Sequence, residues 1–340
     1  MLRAVLISLL LLTGSRAWAI DPGPVPAARL RQAVDKSLPL LLKGAEGHAA
    51  QRSCFACHNQ AIPILALTTA RPRGFAFPKG KLKDQLEAIA EFLDTNQDQY
   101  RQGKGQGGQV DTAGYALWTL ELGEREADET TDAVVEYLLL QNKNLDHWRT
   151  TSNRPPTEAS DFTATYLALR ALAHWGGEAQ KERIAKRTNE AQRWLMGAKA
   201  HNTEDRVFRL WGLHAASAPH DSLQKAALEL EKSQRPDGGW AQTADMTSDA
   251  YATGTALVAL RNAANNSTAS SVYQRGLRYL LQTQLADGTW HVTTRSKPVQ
   301  TYFESGFPHG KDQFISMAAS GWATTALALA CPKGATTTIG

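Results

Sequence analysis

Cysteine, methionine and an excess of one charge are all scarce in this chain of 340 residues. Three cysteines do not make a disulfide framework, and a chain of this length does not need one. Thirty-seven basic against 33 acidic residues leave a formal charge of +4. That excess is too small for a nucleic-acid footprint, and no dense basic run is interleaved with aromatics. No apolar stretch approaches the roughly 20 residues of a membrane span. The run from Ala4 to Leu12 is short, follows Arg3 and precedes Ala17-Trp18-Ala19. A positive start, a brief apolar core and a small-x-small site predict a secretory signal peptide over residues 1–19, cut before Ile20. The mature chain is then exported, periplasmic or secreted. It carries no transmembrane span, and contact with a membrane surface stays open.

What the chain has instead is a repeat. Asp111 to Leu120, Asp161 to Leu172, Asp249 to Leu260 and Ser316 to Leu329 each open on a polar residue and continue through small residues and Ala-Leu steps. Arg206 to Ala216 is a more diverged copy. Each reads as a nearly uncharged helix with one bulky and one small face, as Leu257 and Leu260 against Ala256 and Ala259. Such helices must be buried on most sides. Between them Lys83 to Asp94, Thr131 to Gln141, Asp221 to Lys232 and Ser271 to Gln282 read as amphipathic helices with one wet face. An inner and an outer helical layer follow, with small inner residues allowing close approach around a central space. Strand signals are nearly absent, so the fold class is all-α.

A second mark follows two outer helices. Gln234-Arg-Pro-Asp-Gly-Gly-Trp240 and Gln284-Leu-Ala-Asp-Gly-Thr-Trp290 share Q-x-x-D-G-x-W, and Gln141 to Trp148 is a weaker copy. Asp-Gly makes a tight turn. The glutamine amide is placed to reach orphan groups at a helix end, and the tryptophan to cover it. These stretches resemble the QW repeats of squalene-hopene and oxidosqualene cyclases. The Ala-Leu helices resemble the inner helices of that superfamily, which includes protein prenyltransferase β subunits. The resemblance covers about residues 80–330 and implies a single (α/α)6-type toroid with a central cavity. On this reading residues 20–79 are a helical segment forming the first part of the toroid, and residues 80–335 are its body. The prenyltransferase zinc site of Asp, Cys and His has no counterpart around Cys331, and that activity is set aside.

Cys54-Phe55-Ala56-Cys57-His58 is the sharpest local signal. On one helical turn Cys54, Cys57 and His58 would share an edge. Two thioethers could then anchor haem c while His58 ligates the iron. A CxxC disulfide or part of another metal site are the alternatives; a closed structural zinc site needs four ligands, and no second cysteine pair exists. Met196, Met246, Met317, His48 and His309 are candidates for a sixth iron ligand, beside an open position. The whole chain also resembles exported bacterial proteins that join such a segment to cyclase-like repeats.

Ser160-Asp161-Phe162-Thr163-Ala164 resembles the Asp-Cys-Thr-Ala stretch of oxidosqualene cyclases, which implies Asp161 as a general acid. Phe162 replaces the cysteine, and Asp111-Thr112-Ala113 keeps only the last part of the hopene-cyclase Asp-x-Asp-Asp. Asp161 is equally placed to cap its helix. The loop from Tyr302 to Gln313 is rich in glycine, aromatics and ionisable groups, so Glu304, His309 and Asp312 are candidates to converge at the barrel mouth. Arg154-Pro155-Pro156 is a similar rim loop. Three functions follow. The first is an exported c-type haem toroid with a redox, sensing or small-molecule role and a redox partner. The second is a terpene-cyclase-like enzyme acting on a small hydrophobic molecule through Asp161. The third is a non-catalytic toroid that binds a lipid, glycan or protein.

Overall fold

The computed structural model describes residues 23–298 and 301–333. The signal peptide read over residues 1–19 lies outside the described residues. In chain order the helices are Ala27–Gln51 (α1), Ile62–Ala70 (α2), Lys79–Thr95 (α3), Gln97–Arg101 (α4), Gln109–Leu122 (α5), Glu129–Leu140 (α6), Asp161–Trp175 (α7), Lys181–Gly197 (α8), Thr203–Ala215 (α9), His220–Lys232 (α10), Ala250–Asn262 (α11), Ser271–Thr283 (α12) and Gln313–Leu329 (α13). No strand occurs among the described residues, only isolated bridges between Arg154 and Glu158 and between Trp240 and Asp249.

Two layers separate by composition. Helices α5, α7, α11 and α13 are almost wholly buried, whereas α8, α10 and α12 bury only one stripe. The inner helices pack in the order α2, α5, α7, α9, α11, α13 and back to α2, which closes a six-membered ring. Small residues set the spacing. A Cβ on Gly254 would lie 2.7 Å from the Ala323 backbone nitrogen, so α11 and α13 meet almost backbone to backbone. The outer helices are α1, α3, α6, α8, α10 and α12. The result is an all-α (α/α)6 toroid.

The ring is not hollow at its middle. Trp118 of α5, Trp211 of α9 and Trp322 of α13 come from alternate inner helices and meet near the axis, with ring centroids 5.5, 5.6 and 6.2 Å apart. Close helix approach therefore does not leave the expected open centre: indoles fill it, and accessible space lies at the two ends, about 510 Å³ by His58 and Glu158 and about 460 Å³ by Glu121 and His174.

The glutamine–tryptophan turns behave alike in three places. Trp240, Trp290 and Trp148 donate from Nε1 to the carbonyls of Leu230, Leu280 and Leu138, at 2.9, 2.8 and 2.8 Å. Each carbonyl belongs to the last turn of an outer helix, where intrahelical partners run out. Gln234, Gln284 and Gln141 donate onward to Val272, Ala33 and Gly103. Gln284 thereby ties α12 to α1 and closes the outer layer. Gly238 and Gly288 make the turns at φ +87° and +95°, where a side chain would be strained.

Candidate functional site at the toroid mouth

The segment carrying Cys54, Cys57 and His58 does not form one helical turn. Cys54 lies in a bend after α1 and is exposed, whereas Cys57 opens a π-helical turn, Cys57–Ala61, and is buried. Pro63 supplies the physical reason for the wide turn. It has no N–H to give to residue 59 and its ring crowds that carbonyl. The backbone meets this with an i to i+5 bond from the Ile62 N–H to the Cys57 carbonyl. Two side chains hold the turn. Gln60 Oε1 accepts the Ala56 N–H at 3.0 Å. His48 donates from Nε2 to the Cys54 carbonyl at 2.9 Å, leaving Nδ1 to accept from Asn59 at 3.3 Å.

Cys57 turns inward. Its thiol donates to Glu158 Oε1 at 2.7 Å, and Glu158 is held by an ion pair with Arg154. The main chains of Arg154 and Glu158 bond to each other in both directions, at 2.9 and 3.1 Å, which fixes the rim loop. His58 stands edge-on to Phe314, with centroids 5.3 Å apart. The ligand atoms of Cys57, His58 and Glu158 all lie within 4.8 Å of one another. Burial, with Glu158 beside it, pushes the Cys57 thiol up. Burial, helped by His48 and Arg154, lowers His58 to about 3, so its imidazole is neutral near pH 7.

His58 and Glu158 form the floor of a cavity of about 510 Å³. Its walls are mainly apolar, with Phe314 and Ile315 from α13, and Lys297 and Lys311 at its rim. Behind the floor lie two further buried acids. Asp111 accepts a hydrogen bond from Thr150 at 2.6 Å, and its other carboxyl oxygen has no partner. Burial raises Asp111 to about 7. Glu204 accepts from Tyr251 at 3.2 Å, and burial pushes its carboxyl far up.

The Asp111 shift has a sign that stability measurements can read. A carboxyl raised from 3.8 to about 7 in the fold keeps its proton where the unfolded chain has lost it. Stability is then full below pH 3.8 and falls as pH rises toward 7. Asp111→Asn should flatten the profile over this window and leave the protein more stable than wild type at pH 8. Urea midpoints at pH 4 and pH 8 test this; an unchanged difference between them would remove the assignment.

The other sequence candidates are placed differently. Asp161 is neither a protonated acid nor the helix cap. Ser160 caps α7 through the Phe162 N–H. Asp161 is half-buried and touches His147 and Arg149, at 3.7 and 3.6 Å. Burial works to raise its carboxyl, but His147, the Thr150 N–H and Arg149 outweigh it and hold the group ionised. His309 and Asp312 meet around His291: His309 stacks on it at 4.9 Å, and Asp312 bonds to it at 2.9 Å. Glu304 does not join them. It is exposed and accepts from Tyr302. Met196 is exposed, and Met317 is packed between α13 and α1. Glu158 escaped the sequence reading altogether. The nearest signal was the rim-loop arginine four positions before it.

With this geometry in place, the fold is similar to that of solved type II terpene cyclases. Residues 205–317 match the squalene-hopene cyclase C-terminal domain family. No curated protein sequence matches the chain. Among solved structures it is similar to the type II terpene cyclase MstE from Scytonema, at 14% identity over 91% of this chain and 100% of that one, with a TM-score of 0.57. A protein from Actinoplanes is similar at 14% identity over 89% of this chain and 100% of that one, TM-score 0.54. A possible GH105 member from Salmonella enterica Paratyphi A is similar at 12% identity over 90% and 94%, TM-score 0.52. These likenesses carry the fold and not an activity.

Proposed function

We propose that the protein binds a small, largely apolar molecule bearing an anionic group at the toroid mouth, and acts on it by cyclase-like acid chemistry. The mouth cavity carries this reading. At about 510 Å³ it falls within the range of small-molecule sites, roughly 300–1,000 Å³, and it joins apolar walls to a basic rim and a floor of reactive groups. MstE, which shares the fold, has been solved with geranylgeranyl dihydroxybenzoate as its substrate, and a prenylated hydroxybenzoate is therefore the first probe. Asp111, buried and carrying a proton near neutrality, replaces Asp161 as the acid.

Equilibrium binding of that probe, followed by tryptophan fluorescence, tests the reading. Lys311→Glu at the rim should weaken binding about tenfold, the equivalent of about 1.4 kcal/mol. Ile315→Trp should fill the cavity and abolish binding. Wild-type affinity in both variants would place the ligand site elsewhere.

A c-type haem on Cys54, Cys57 and His58 is the second reading, favoured by one observation: the His58 imidazole lines a large cavity with basic groups at its rim. The cysteines as placed do not fit it. Cys54 is exposed outside the helix while Cys57 is buried against Glu158. Attachment would require residues 54–57 to wind into a turn and Cys57 to leave Glu158.

A further inference from the structure

We propose that Cys57, His58 and Glu158 hold a divalent transition-metal ion of the zinc type, so that the second half of the C-x-x-C-H motif serves a non-haem metal and Cys54 takes no part. The proposal rests on the mouth being the functional site. It does not depend on which molecule enters the cavity.

Three observations converge. The first is the donor set. A thiol, an imidazole and a carboxylate present ligand atoms within 4.8 Å of one another. Ligands around a tetrahedral zinc, at roughly 2.0–2.3 Å from the ion, stand about 3.3–3.8 Å apart. Small side-chain rotations close that difference. The mixture of sulfur, nitrogen and oxygen suits zinc or cobalt rather than magnesium or calcium, which take oxygen alone.

The second is the division of labour on Glu158. Arg154 holds Oε2, and the Cys57 thiol donates to Oε1 at 2.7 Å. An ion taking the place of that thiol proton would be bound by Oε1 and Sγ, with Arg154 still orienting the carboxylate from behind. Outer partners of this kind fix ligand geometry in metal sites. The proton goes to solvent, and the thiolate and carboxylate together balance the two positive charges of the ion.

The third is the open side. His58 and Glu158 both line the mouth cavity. Three protein ligands with a fourth position facing a cavity is the arrangement of a catalytic zinc site, whereas structural sites are closed by four. The metal would there polarise an oxygen of the bound molecule or of a water.

The test uses the full mature chain, stripped with chelator under reducing conditions and titrated with Co(II). One equivalent should bind, giving d–d bands of tetrahedral intensity and a thiolate-to-cobalt charge-transfer band. Zinc should displace it. Cys57→Ser should lose the charge-transfer band, and Glu158→Gln should weaken binding at least tenfold. Cys54→Ser should match wild type in both intensity and stoichiometry. Circular dichroism confirms that each variant is folded; should Cys57→Ser not fold, the charge-transfer band of wild type and of Cys54→Ser decides alone. Absence of the band from the wild type overturns the proposal, as does its persistence in folded Cys57→Ser or its loss in Cys54→Ser. A Soret band after production in a host with haem-attachment machinery overturns it in favour of haem. Failure of the prenyl probe to bind would leave the cobalt result untouched.

Discussion

Asp111→Asn should lower turnover of the mouth ligand about 10²–10⁴-fold, the usual contribution of a general acid, while Asp161→Asn should stay within a few-fold of wild type. The contrast follows from surroundings, since both aspartates sit at the starts of inner helices. Asp161 faces partly outward between His147 and Arg149, and these keep its carboxylate charged. A charged carboxylate has no proton to give. Asp111 is fully buried, accepts one hydrogen bond from Thr150 and leaves one oxygen unpartnered. Burial raises its carboxyl to about 7, so it keeps a proton to give well above the usual carboxylate range. Asparagine keeps the shape and the acceptor for Thr150 but cannot transfer a proton. Steady-state rates by product mass spectrometry, measured with binding of the same probe, separate lost chemistry from lost affinity. Equal rates for Asp111→Asn and wild type would exclude Asp111, and a collapse in Asp161→Asn would restore the sequence-based assignment.

Much of the ring was legible in the sequence because its signals are local. The run from Ala250 to Leu260 has no charge and can only be a buried helix, and Gln234 with Trp240 brackets a turn whose geometry the Asp-Gly pair sets. The site was less legible because it depends on a contact that the chain makes across a long separation. Cys57 and Glu158 stand 101 positions apart and meet only in the folded ring, and nothing in the local pattern of either residue names the other. The Cys54–His58 stretch misled for a different reason. Its spacing fits a helical edge, but Pro63 widens the first turn of the following helix and begins it at Cys57. Asp161 and Asp111 look equivalent by position. Only the burial of the one and the neighbours of the other separate an acid from a surface ion pair.

Trp240→Ala should destabilise the toroid by about 3–5 kcal/mol, the range for removing a large buried aromatic side chain. The indole is fully buried, and it is the donor to the Leu230 carbonyl at the end of α10. Truncation therefore opens a cavity and removes one donor from the Leu230 carbonyl, which keeps the Ser233 N–H and hydroxyl. Trp240→Phe separates the two effects. It keeps most of the ring and loses only the donor, so about 1–2 kcal/mol is expected. Both turns reach the next outer helix, Gln234 to Val272 of α12 and Gln284 to Ala33 of α1, but only the second joins the last outer helix to the first, so the same pair of changes at Trp290 should cost more than at Trp240. Equilibrium urea unfolding gives the comparison. If the Trp290 and Trp240 variants fell equally, the turn that closes the outer layer would carry no more than its counterpart. A larger loss at Trp290 means that a closed ring depends most on the copy that joins its end to its beginning.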